Sequence, residues 1–351
     1  MSFTSTLIAW YQSNKRNLPF RGTRNPYLIW VSEVVLQQTR MDQGIDYYLR
    51  FIERFPDIQT LATASEEEVL KTWQGMGYYS RARNLHASAR EIVNKMGGAF
   101  PETFNRILKL KGIGDYSAAS IASLAFDEPQ AAVDGNVFRF MARYFGFRDE
   151  VSSTSGKKRM KEKAESLMDK DQPGTFNQAM IEFGALVCTP QSPSCNSCIF
   201  RDSCYAFRHQ FIREIPVKKK AAMIRKRYFH YLVITFNGSD NARVVMKKRK
   251  GDDIWKNLYD FPVIETTGKR SLLQLKKTDE WKTIFRDGQP TVINVSEEFK
   301  HILSHQVILA TFYRVSLEEL PGHFNMYISV KQLDSLPVSK LISKYWQKYF
   351  Q

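Results

Sequence analysis

Residues 110–119 of this 351-residue chain read Leu-Lys-Gly-Ile-Gly-Asp-Tyr-Ser-Ala-Ala, a glycine turn between two segments with helical periodicity. The pattern predicts helices over 102–110 and 116–125. Gly112 and Gly114 permit a tight turn and leave the nearby backbone N–H groups uncovered by side chains. At the start of the second helix such amides favour an anion, so the turn suits a DNA phosphate held without sequence reading. An ordinary helix–helix connection that ends at a glycine is the alternative.

All four cysteines of the chain lie in one short run, spaced C-x6-C-x2-C-x5-C, at Cys188, Cys195, Cys198 and Cys204. Four thiolates that converge can hold a [4Fe–4S] cluster or a tetrahedral zinc ion. Zinc sites usually join two short knuckles across a long gap, whereas this run has one knuckle, which favours the cluster. A disulfide pair is the remaining alternative, and nothing else in the sequence indicates secretion.

The charge balance indicates a polyanionic partner. Lys+Arg number 51 against 36 Asp+Glu, a net charge of +15. Such an excess favours nucleic acid, although a solvated basic surface is the alternative. The N-terminal apolar stretch is short and follows no basic region, and no apolar run could span a bilayer. We therefore expect no membrane contact and a cytoplasmic, monomeric protein, associated with the nucleoid if the source is bacterial.

The chain changes character near residue 215. Before it, apolar residues recur at helical spacing; after it, runs of β-branched and aromatic residues alternate with turn signals such as Asn237-Gly238 and Pro321-Gly322. Strands are predicted over 228–236, 243–246, 306–315 and 324–330, and a final helix over 338–349. We predict a mainly α domain over 1–212 with its cysteine loop at 188–204, a basic linker over 213–227, and an α+β domain over 228–351.

Longer motifs resemble the helix-hairpin-helix DNA glycosylases that carry an iron–sulfur cluster, and among them the adenine DNA glycosylases (MutY family). The matching stretches are Pro26-Tyr27, residues 30–39 (WVSEVVLQQT), 73–85 (WQGMGYYSRARNL), 133–137 (VDGNV) and 176–180 (FNQAM). The resemblance covers nearly all of the predicted α domain and, more weakly, the second domain. It implies a helix-hairpin-helix glycosylase fold followed by a Nudix-like domain.

Cleaving the bond between adenine and its sugar needs a proton for the base and an anion beside the oxocarbenium-like sugar. The resemblance implies Glu33 as the acid and Asp134 as the carboxylate that stabilises or captures the sugar cation. Glu33 lies in an otherwise apolar helix, where burial would raise its pKa; by pattern alone it could equally face water. Asp134 also has the pattern of a helix N-cap. Asn136 is implied to orient water, base or carboxylate in the same pocket.

Tyr116 bears on the outcome of the reaction. The resemblance places it in the pocket beside Glu33 and Asp134. Relatives that resemble endonuclease III carry a lysine at this position, which forms a Schiff base with the sugar and leads to strand cleavage. A tyrosine cannot form that bond, so we predict a monofunctional glycosylase with little lyase activity.

Reaching the base requires taking it out of the stack. The resemblance implies that Gln38 fills the resulting gap and that Tyr78 wedges the opposite strand, with Arg81 suited to a phosphate contact. Core tyrosines beneath a basic face are the alternative for the Tyr78-Tyr79 pair. The loop over 189–194 lacks the lysines and arginines that relatives often carry there, so we do not predict a DNA contact for it. Hydrolysis needs no redox chemistry, so we assign the cluster a structural role.

In the second domain, residues 253–262 (DIWKNLYDFP) resemble a Nudix-like segment, but no magnesium-binding Nudix box follows. We therefore expect no nucleotide hydrolysis. In adenine glycosylases the equivalent domain inspects 8-oxoguanine opposite adenine through a Phe-Ser-His loop. Here the match is Leu303-Ser304-His305, so Ser304 and His305 are implied to bond the lesion, whereas Leu303 lacks an aromatic stacking surface. A strand-entry turn is the alternative.

Together these features predict a base-excision-repair adenine DNA glycosylase acting on double-stranded DNA with adenine opposite 8-oxoguanine or guanine. Two alternatives remain. One is a related mismatch glycosylase that excises thymine or uracil, and the other is a catalytically silent iron–sulfur DNA-binding protein. The joint presence of Glu33, Tyr116, Asp134 and Asn136 argues against the silent binder, which needs none of them.

Overall fold

The protein forms two units in its computed structural model, which describes residues 2–150, 153–217, 224–236, 243–286, 288–303, 305–318, 322–324 and 326–350. Residues 1–63 and 84–220 make the first unit, and 64–83 with 221–351 make the second. This differs from the predicted domain over 1–212, because the segment 64–83 packs with the C-terminal part of the chain. The turn signals at Asn237-Gly238 and Pro321 lie outside the described residues, as does Ser304.

Helices account for almost all regular structure in the first 217 residues. They are α1 (Phe3–Asn14), α2 (Pro26–Leu36), α3 (Met41–Arg54), α4 (Ile58–Thr63), α5 (Glu66–Thr72), α6 (Tyr79–Met96), α7 (Phe104–Ile107), α8 (Asp115–Phe126), α9 (Gly135–Phe145), α10 (Thr154–Leu167), α11 (Pro173–Leu186) and α12 (Tyr205–Arg208). In the first unit α11 packs against α1, α8 and α9, and α2 packs against α3 and α8. No helix of the described residues is both long and apolar enough to cross a membrane.

Local sequence explains where α2 begins. The Asn25 side chain accepts hydrogen bonds from the backbone N–H groups of Tyr27 and Leu28, at 3.0 and 3.4 Å. Pro26 occupies the first turn, where its missing N–H costs nothing. The helix then buries Trp30 and Val35 completely. Its apolar faces fix α2 in the core, so the one carboxylate that it carries has a defined position.

The glycine turn lies between α7 and α8, but the first helix is shorter than the predicted 102–110. It ends at Ile107, after which Leu110 and Ile113 continue as tight turns, each N–H bonding the carbonyl three residues earlier. Gly112 has φ +83°, and a Cβ there would come within 2.6 Å of the Asn84 side chain, so glycine is required. Gly114 has an ordinary φ of −99°, and a Cβ there would meet only open space, so the start of α8 is uncovered.

The second unit is built on a mixed sheet whose order is β6-β8-β1-β2-β9, with β5 on β1 and β7 on β8. Its strands are β1 (Arg225–Phe236), β2 (Arg243–Val245), β5 (Val263–Thr266), β6 (Thr291–Val295), β7 (Phe299–Ile302), β8 (Gln306–Ser316) and β9 (Tyr327–Ser329), and a separate pair is formed by β3 (Lys247–Lys248) and β4 (Tyr259–Asp260). The helices of this part are α13 (Leu272–Lys276), α14 (Asp279–Phe285) and α15 (Lys340–Tyr349).

The predicted linker over 213–227 ends too late, because β1 already begins at Arg225 and pairs in parallel with β8 from Gln306 onward. Arg227 belongs to the folded unit, since its guanidinium donates hydrogen bonds to Glu265 at 2.7 Å and to Asp253 at 3.1 Å. Arg227 is therefore part of an internal ion-pair network. Composition alone could not distinguish this arginine from one in a solvated linker. The predicted strand over 324–330 is reduced to β9.

The segment 64–83 is fixed to the second unit by polar contacts. Glu67 on α5 accepts hydrogen bonds from Lys248 and from the Tyr259 hydroxyl, both at 2.6 Å. The Tyr79 hydroxyl donates to the Val338 carbonyl at 3.1 Å and accepts from the Gly75 amide at 3.3 Å. Because Tyr79 is 2% exposed, it is a core residue of this unit.

Candidate active site

The four predicted catalytic residues line one pocket of the first unit. Helix α2 contributes Glu33, α8 contributes Tyr116, and the start of α9 contributes Asp134 and Asn136. Residues 33 and 134 are a hundred positions apart, and the packing of α2 and α11 around α8 brings them together. Gln38, just beyond the end of α2, lies on the same pocket wall.

Glu33 faces this pocket, not open solvent. The Ser120 hydroxyl donates a hydrogen bond to Glu33 Oε1 at 2.6 Å, and Tyr116 also bonds the carboxyl. Burial, with a smaller contribution from the nearby Asp134 carboxylate, raises the pKa of Glu33 to about 7, against the effect of these two hydrogen bonds. A substantial fraction of Glu33 is therefore protonated near neutral pH, as a general acid requires.

Asp134 is both a helix N-cap and a pocket residue. Its Oδ1 accepts hydrogen bonds from the amides of Asn136 and Val137, each at 2.8 Å, and its Oδ2 accepts one from Asn136 Nδ2 at 2.6 Å. Burial raises the pKa of Asp134, whereas these three donors favour the charged form. The N-cap geometry thus holds a carboxylate at the mouth of the pocket with both oxygens oriented.

Arg139 connects this carboxylate to the cysteine loop and was not singled out from the sequence. Its Nη2 donates to Asn136 Oδ1 at 2.9 Å and to the Gly184 carbonyl at 2.7 Å, and its Nε donates to the Cys188 carbonyl at 2.7 Å. A Cβ on Gly184 would come within 2.6 Å of the Asn136 carbonyl oxygen, so glycine permits this close approach. One sequence signal could have identified Arg139: it lies three residues after Asn136 on the same helix, a spacing at which side chains can interact.

The four cysteines line one cavity, whose other walls include Phe140, Phe183 and Phe200. All four are free thiols, which excludes the disulfide alternative. Arg143 Nη1 lies 3.5 Å from Cys188 Sγ. In the described part of the chain, no group of three or more His, Cys, Asp or Glu side chains is placed to hold a metal ion. The four thiols nevertheless line one cavity, and four thiols are the donor set of either a [4Fe–4S] cluster or a zinc ion.

A buried ion triad in the same pocket was missed by sequence reasoning. Glu182, whose side chain is fully buried, accepts hydrogen bonds from Arg16 and Arg21, each with an N–O distance of 2.6 Å. Burial alone would raise the pKa of Glu182, but the two guanidinium groups lower it to about 2. Arg16 and Arg21 are more than 160 positions from Glu182 in the chain, so no local sequence pattern predicts these ion pairs. Only the fold shows that the three charged side chains line the same pocket as Glu33.

Replacing Glu182 with glutamine is expected to lower the free energy of unfolding by about 3 kcal/mol, because it leaves two partly buried guanidinium groups without their anion. The folded pKa lies below the ordinary 4.5, so this stabilisation is present above pH 4.5 and is lost as the pH falls toward 2. Urea unfolding at pH 7 and pH 3 measures both effects. The control is Glu91→Gln, which breaks an exposed pair with Lys95 and should change stability by less than about 0.5 kcal/mol. Equal losses in both variants would contradict the prediction.

The two residues that are implied to enter the DNA base stack both have an unusual backbone conformation, with a positive φ angle. Gln38 has φ +53° and Tyr78 has φ +48°, in the left-handed region that non-glycine residues rarely adopt. Both are exposed, Tyr78 at 38%. Strained conformations of this kind concentrate at functional sites.

Arg81 does not fit the predicted phosphate contact. It is 9% exposed, and its guanidinium carbon lies 5.3 Å from the ring centres of both Trp73 and Tyr78. Burial lowers the pKa of this group to about 10. The first turn of α6 places the Arg81 guanidinium against the Tyr78 ring, so little of its surface is exposed for a phosphate contact. In the other predicted contact loop, His305 is exposed immediately before β8.

Residues 31–170 match the family described as HhH-GPD superfamily base excision DNA repair protein, and residues 231–348 match the NUDIX domain. Over 306 residues the chain is 34% identical to the adenine DNA glycosylase of Buchnera aphidicola subsp. Baizongia pistaciae, covering 86% of this chain and 83% of that protein. The chain belongs to the adenine DNA glycosylase family. It is therefore a base-excision-repair enzyme that releases adenine from DNA, and the predicted pairing of a helical glycosylase domain with a Nudix-like domain is confirmed.

Further relatives agree with this assignment. The mouse adenine DNA glycosylase is 43% identical over 216 residues, which cover 59% of this chain and 42% of the mouse protein. Among solved structures, a thermostable thymine-DNA glycosylase superposes with a TM-score of 0.54 at 29% identity, over 59% of this chain and 95% of that one. A non-covalent endonuclease III–DNA complex, at 22% identity and a TM-score of 0.52 over 59% of this chain and 94% of that one, shares the fold.

Proposed function

We propose that this adenine DNA glycosylase removes adenine mispaired with 8-oxoguanine or guanine in double-stranded DNA, and that it leaves the sugar–phosphate strand intact. The observation that carries the chemistry is a carboxyl with a pKa of about 7, Glu33, in one pocket with a second carboxylate, Asp134. Two carboxyl groups in unlike environments are what hydrolysis of a glycosidic bond requires.

Each side chain of the pocket has a definite task in this reaction. Protonated Glu33 donates its proton to a ring nitrogen of the extruded adenine, which turns the base into a better leaving group. Asp134, whose carboxyl accepts three hydrogen bonds that favour its charged form, stabilises the positive charge that develops on the sugar. Asn136 fixes the orientation of that carboxylate, and Tyr116 holds the Glu33 carboxyl. Water then completes hydrolysis at the sugar carbon.

The absence of lyase chemistry is inferred from the nature of the pocket wall. Among the described residues that line the Glu33 pocket, none is a lysine. Tyr116 cannot replace one, because a phenol has no nitrogen with which to form a Schiff base. Burial and the adjacent Glu33 also raise the pKa of its phenol well above the ordinary value. Because the described wall of this pocket carries no lysine amine, we expect no Schiff base with the sugar and no cleavage of the strand.

The choice of opposite base rests on the second unit. Leu303 and His305 flank Ser304 in the segment that resembles the lesion-reading loop, and His305 is exposed at the start of β8. An imidazole and a hydroxyl offer hydrogen bonds to the altered edge of 8-oxoguanine. Because Leu303 provides no aromatic stacking surface, we expect discrimination between 8-oxoguanine and guanine to be smaller than an aromatic residue would give.

Single-turnover cleavage tests this function directly. Duplexes carrying adenine opposite 8-oxoguanine, guanine or thymine, and uracil opposite guanine, are incubated with excess enzyme and resolved with and without hot alkali. Alkali-dependent breaks at adenine opposite 8-oxoguanine and guanine are expected. Breaks without alkali would contradict the monofunctional assignment, and cleavage confined to the uracil duplex would contradict the base choice.

We further propose that Cys188, Cys195, Cys198 and Cys204 hold a [4Fe–4S] cluster. Their shared cavity brings together the four thiols that such a group requires. Burial, together with the neighbouring cysteines, raises the pKa of Cys198 to about 11, so this thiol stays protonated unless a metal displaces the proton. When bound, the cluster supplies structural cross-links and no chemistry to hydrolysis. The cysteines would then anchor the loop against α9 and α11.

Replacing Cys198 with serine is expected to reduce iron from about four per chain to a small fraction and to remove the visible absorbance of the cluster. The reason is that one of four thiolate ligands is lost while the loop retains its shape. Iron content by colorimetric assay and the absorbance spectrum provide the readouts. Ser197→Ala, a substitution at the exposed neighbouring position, should leave both unchanged. Stoichiometric zinc and no visible absorbance in the unaltered protein would contradict the cluster.

A further inference from the structure

Three lysines of α10 line a second cleft of the first unit, beside the glycine turn. This cleft is bounded by Lys157, Lys158 and Lys161 on one side and by the start of α8 on the other. Asp134 and Tyr116 line both this cleft and the Glu33 pocket, so the two adjoin each other. We call the three lysines the α10 lysine face.

Lys161 has a specific partner in this cleft. Asp115, the first residue of α8, places a carboxylate where the uncovered amides would bind a phosphate, and that carboxylate repels anions. Lys161 Nζ lies 3.0 and 2.8 Å from its two oxygens, and it packs 4.4 Å from the ring centre of Phe104. The side chain of Lys161 is only 23% exposed, so the pair is held in place. The lysine therefore cancels the negative charge at the turn.

Lys157 and Lys158 are exposed to solvent in the cleft. Lys158 forms a long ion pair with Glu162, at 3.9 Å, and an exposed pair of this length leaves its charge available to a ligand. The other cations of α10 are directed elsewhere. Arg159 pairs with Asp149 at 3.2 Å, and Lys163 lies 4.7 Å from the ring centre of Phe145. One face of the helix thus presents positive charge to the cleft.

We propose that the α10 lysine face binds the phosphodiester backbone of the strand that carries the extruded adenine. This inference rests on the proposed function, which places the sugar of that nucleotide beside Asp134. The adjoining phosphates must then pass through the cleft that contains Asp134, the start of α8 and the lysines. Lys157 and Lys158 contact phosphates directly, while Lys161 neutralises Asp115 so that the α8 amides can accept a phosphate.

The test is the salt dependence of binding to a duplex with a tetrahydrofuran abasic analogue opposite 8-oxoguanine, which removes chemistry from the measurement. A plot of the logarithm of the binding constant against the logarithm of the salt concentration has a negative slope. Each lost phosphate contact reduces the magnitude of that slope by about 0.9. The full-length double variant Lys157→Ala/Lys158→Ala should reduce the magnitude of the slope by about 2 and raise Kd roughly tenfold at 0.1 M salt. Lys163→Ala, on the same helix but outside the cleft, should keep the slope of the unaltered enzyme. Equal slopes in the double variant and the unaltered enzyme would overturn the direct contact.

The neutralising role of Lys161 has its own signature. Lys161→Ala should weaken binding because the Asp115 carboxylate is left facing the phosphate. Adding Asp115→Asn to that variant should restore most of the affinity, which a simple loss of a phosphate contact would not allow. A double variant that binds as weakly as Lys161→Ala would overturn this role. Failure of the proposed function would appear separately, as an unaltered enzyme that binds the duplex but releases no adenine.

Discussion

Glu33→Gln is expected to lower the single-turnover rate of adenine release by about 10³-fold, because glutamine keeps the shape of the side chain but has no proton to donate. The carboxyl is bonded by Ser120 and Tyr116, and both hydroxyls can also bond an amide, so the pocket should keep its form. Single-turnover assays on the duplex with adenine opposite 8-oxoguanine measure the rate. A variant that retains more than a tenth of the rate would show that another group supplies the proton.

The pH dependence of the unaltered enzyme follows from the same residue. Since the pKa of Glu33 is about 7, the rate should fall tenfold per pH unit well above that value, as the acid form becomes scarce. Rates between pH 5 and pH 9 define this limb of the profile. The residual rate of the Glu33→Gln variant should not show this decrease above pH 7. A constant rate up to pH 9 would rule out Glu33 as the acid.

Glu33→Gln should also stabilise the fold at high pH, which separates loss of chemistry from loss of structure. The folded pKa of about 7 exceeds the ordinary 4.5, so the folded state binds more protons and stability falls as pH rises through this range. Removing the ionisable group should raise the free energy of unfolding by about 2–3 kcal/mol at pH 8 and by almost nothing at pH 4.5. Glu91→Gln, in an exposed pair, should show no such dependence on pH.

The second large effect is expected for Asp134→Asn, which should lower the rate of adenine release by about 10²–10³-fold. Asparagine removes the negative charge that stabilises the sugar cation, whereas DNA binding should change little. The measurements are single-turnover rates and the Kd for the duplex with the tetrahydrofuran analogue. A rate within threefold of that of the unaltered enzyme would show that the sugar cation is stabilised by another group.

A comparison of substitutions at position 134 separates charge from capping. Asparagine is as good an N-cap as aspartate, so Asp134→Asn should preserve the start of α9 and the bonds to the amides of Asn136 and Val137. Asp134→Ala loses the cap as well and should cost about 1 kcal/mol of stability. Both variants should lose catalysis alike. If only the alanine variant were impaired, Asp134 would act through helix structure and not through its charge.

Local signals were sufficient for much of the fold. The helical periodicity predicted the second helix of the hairpin over 116–125, and α8 runs one residue further at each end. The alternation of apolar residues predicted strands over 228–236 and 306–315, which became β1 and β8. These elements are encoded by spacing between neighbours in the chain. What spacing could not show is that β1 and β8 pair in parallel, because that register is set by contacts about eighty residues apart.

For the candidate site too, some residues could be predicted from the sequence and others could not. Motif matches located Glu33, Tyr116, Asp134 and Asn136, whose shared pocket the structure then described. They misassigned Arg81, because whether an arginine is buried depends on the rings above and below it. They also missed the Glu182 triad and the pairing of Lys161 with Asp115, since both join distant residues whose types are common on any surface.

The sequence by itself determined the family, the glycine turn, the cysteine run and the identity of the chemically capable side chains, since each is a matter of residue type at short spacing. Tertiary structure alone decided that residues 64–83 join the second unit and that Glu33 is buried enough to have a pKa of about 7. The physical reason is that desolvation and charge pairing are set by all surrounding atoms, most of which come from remote parts of the chain.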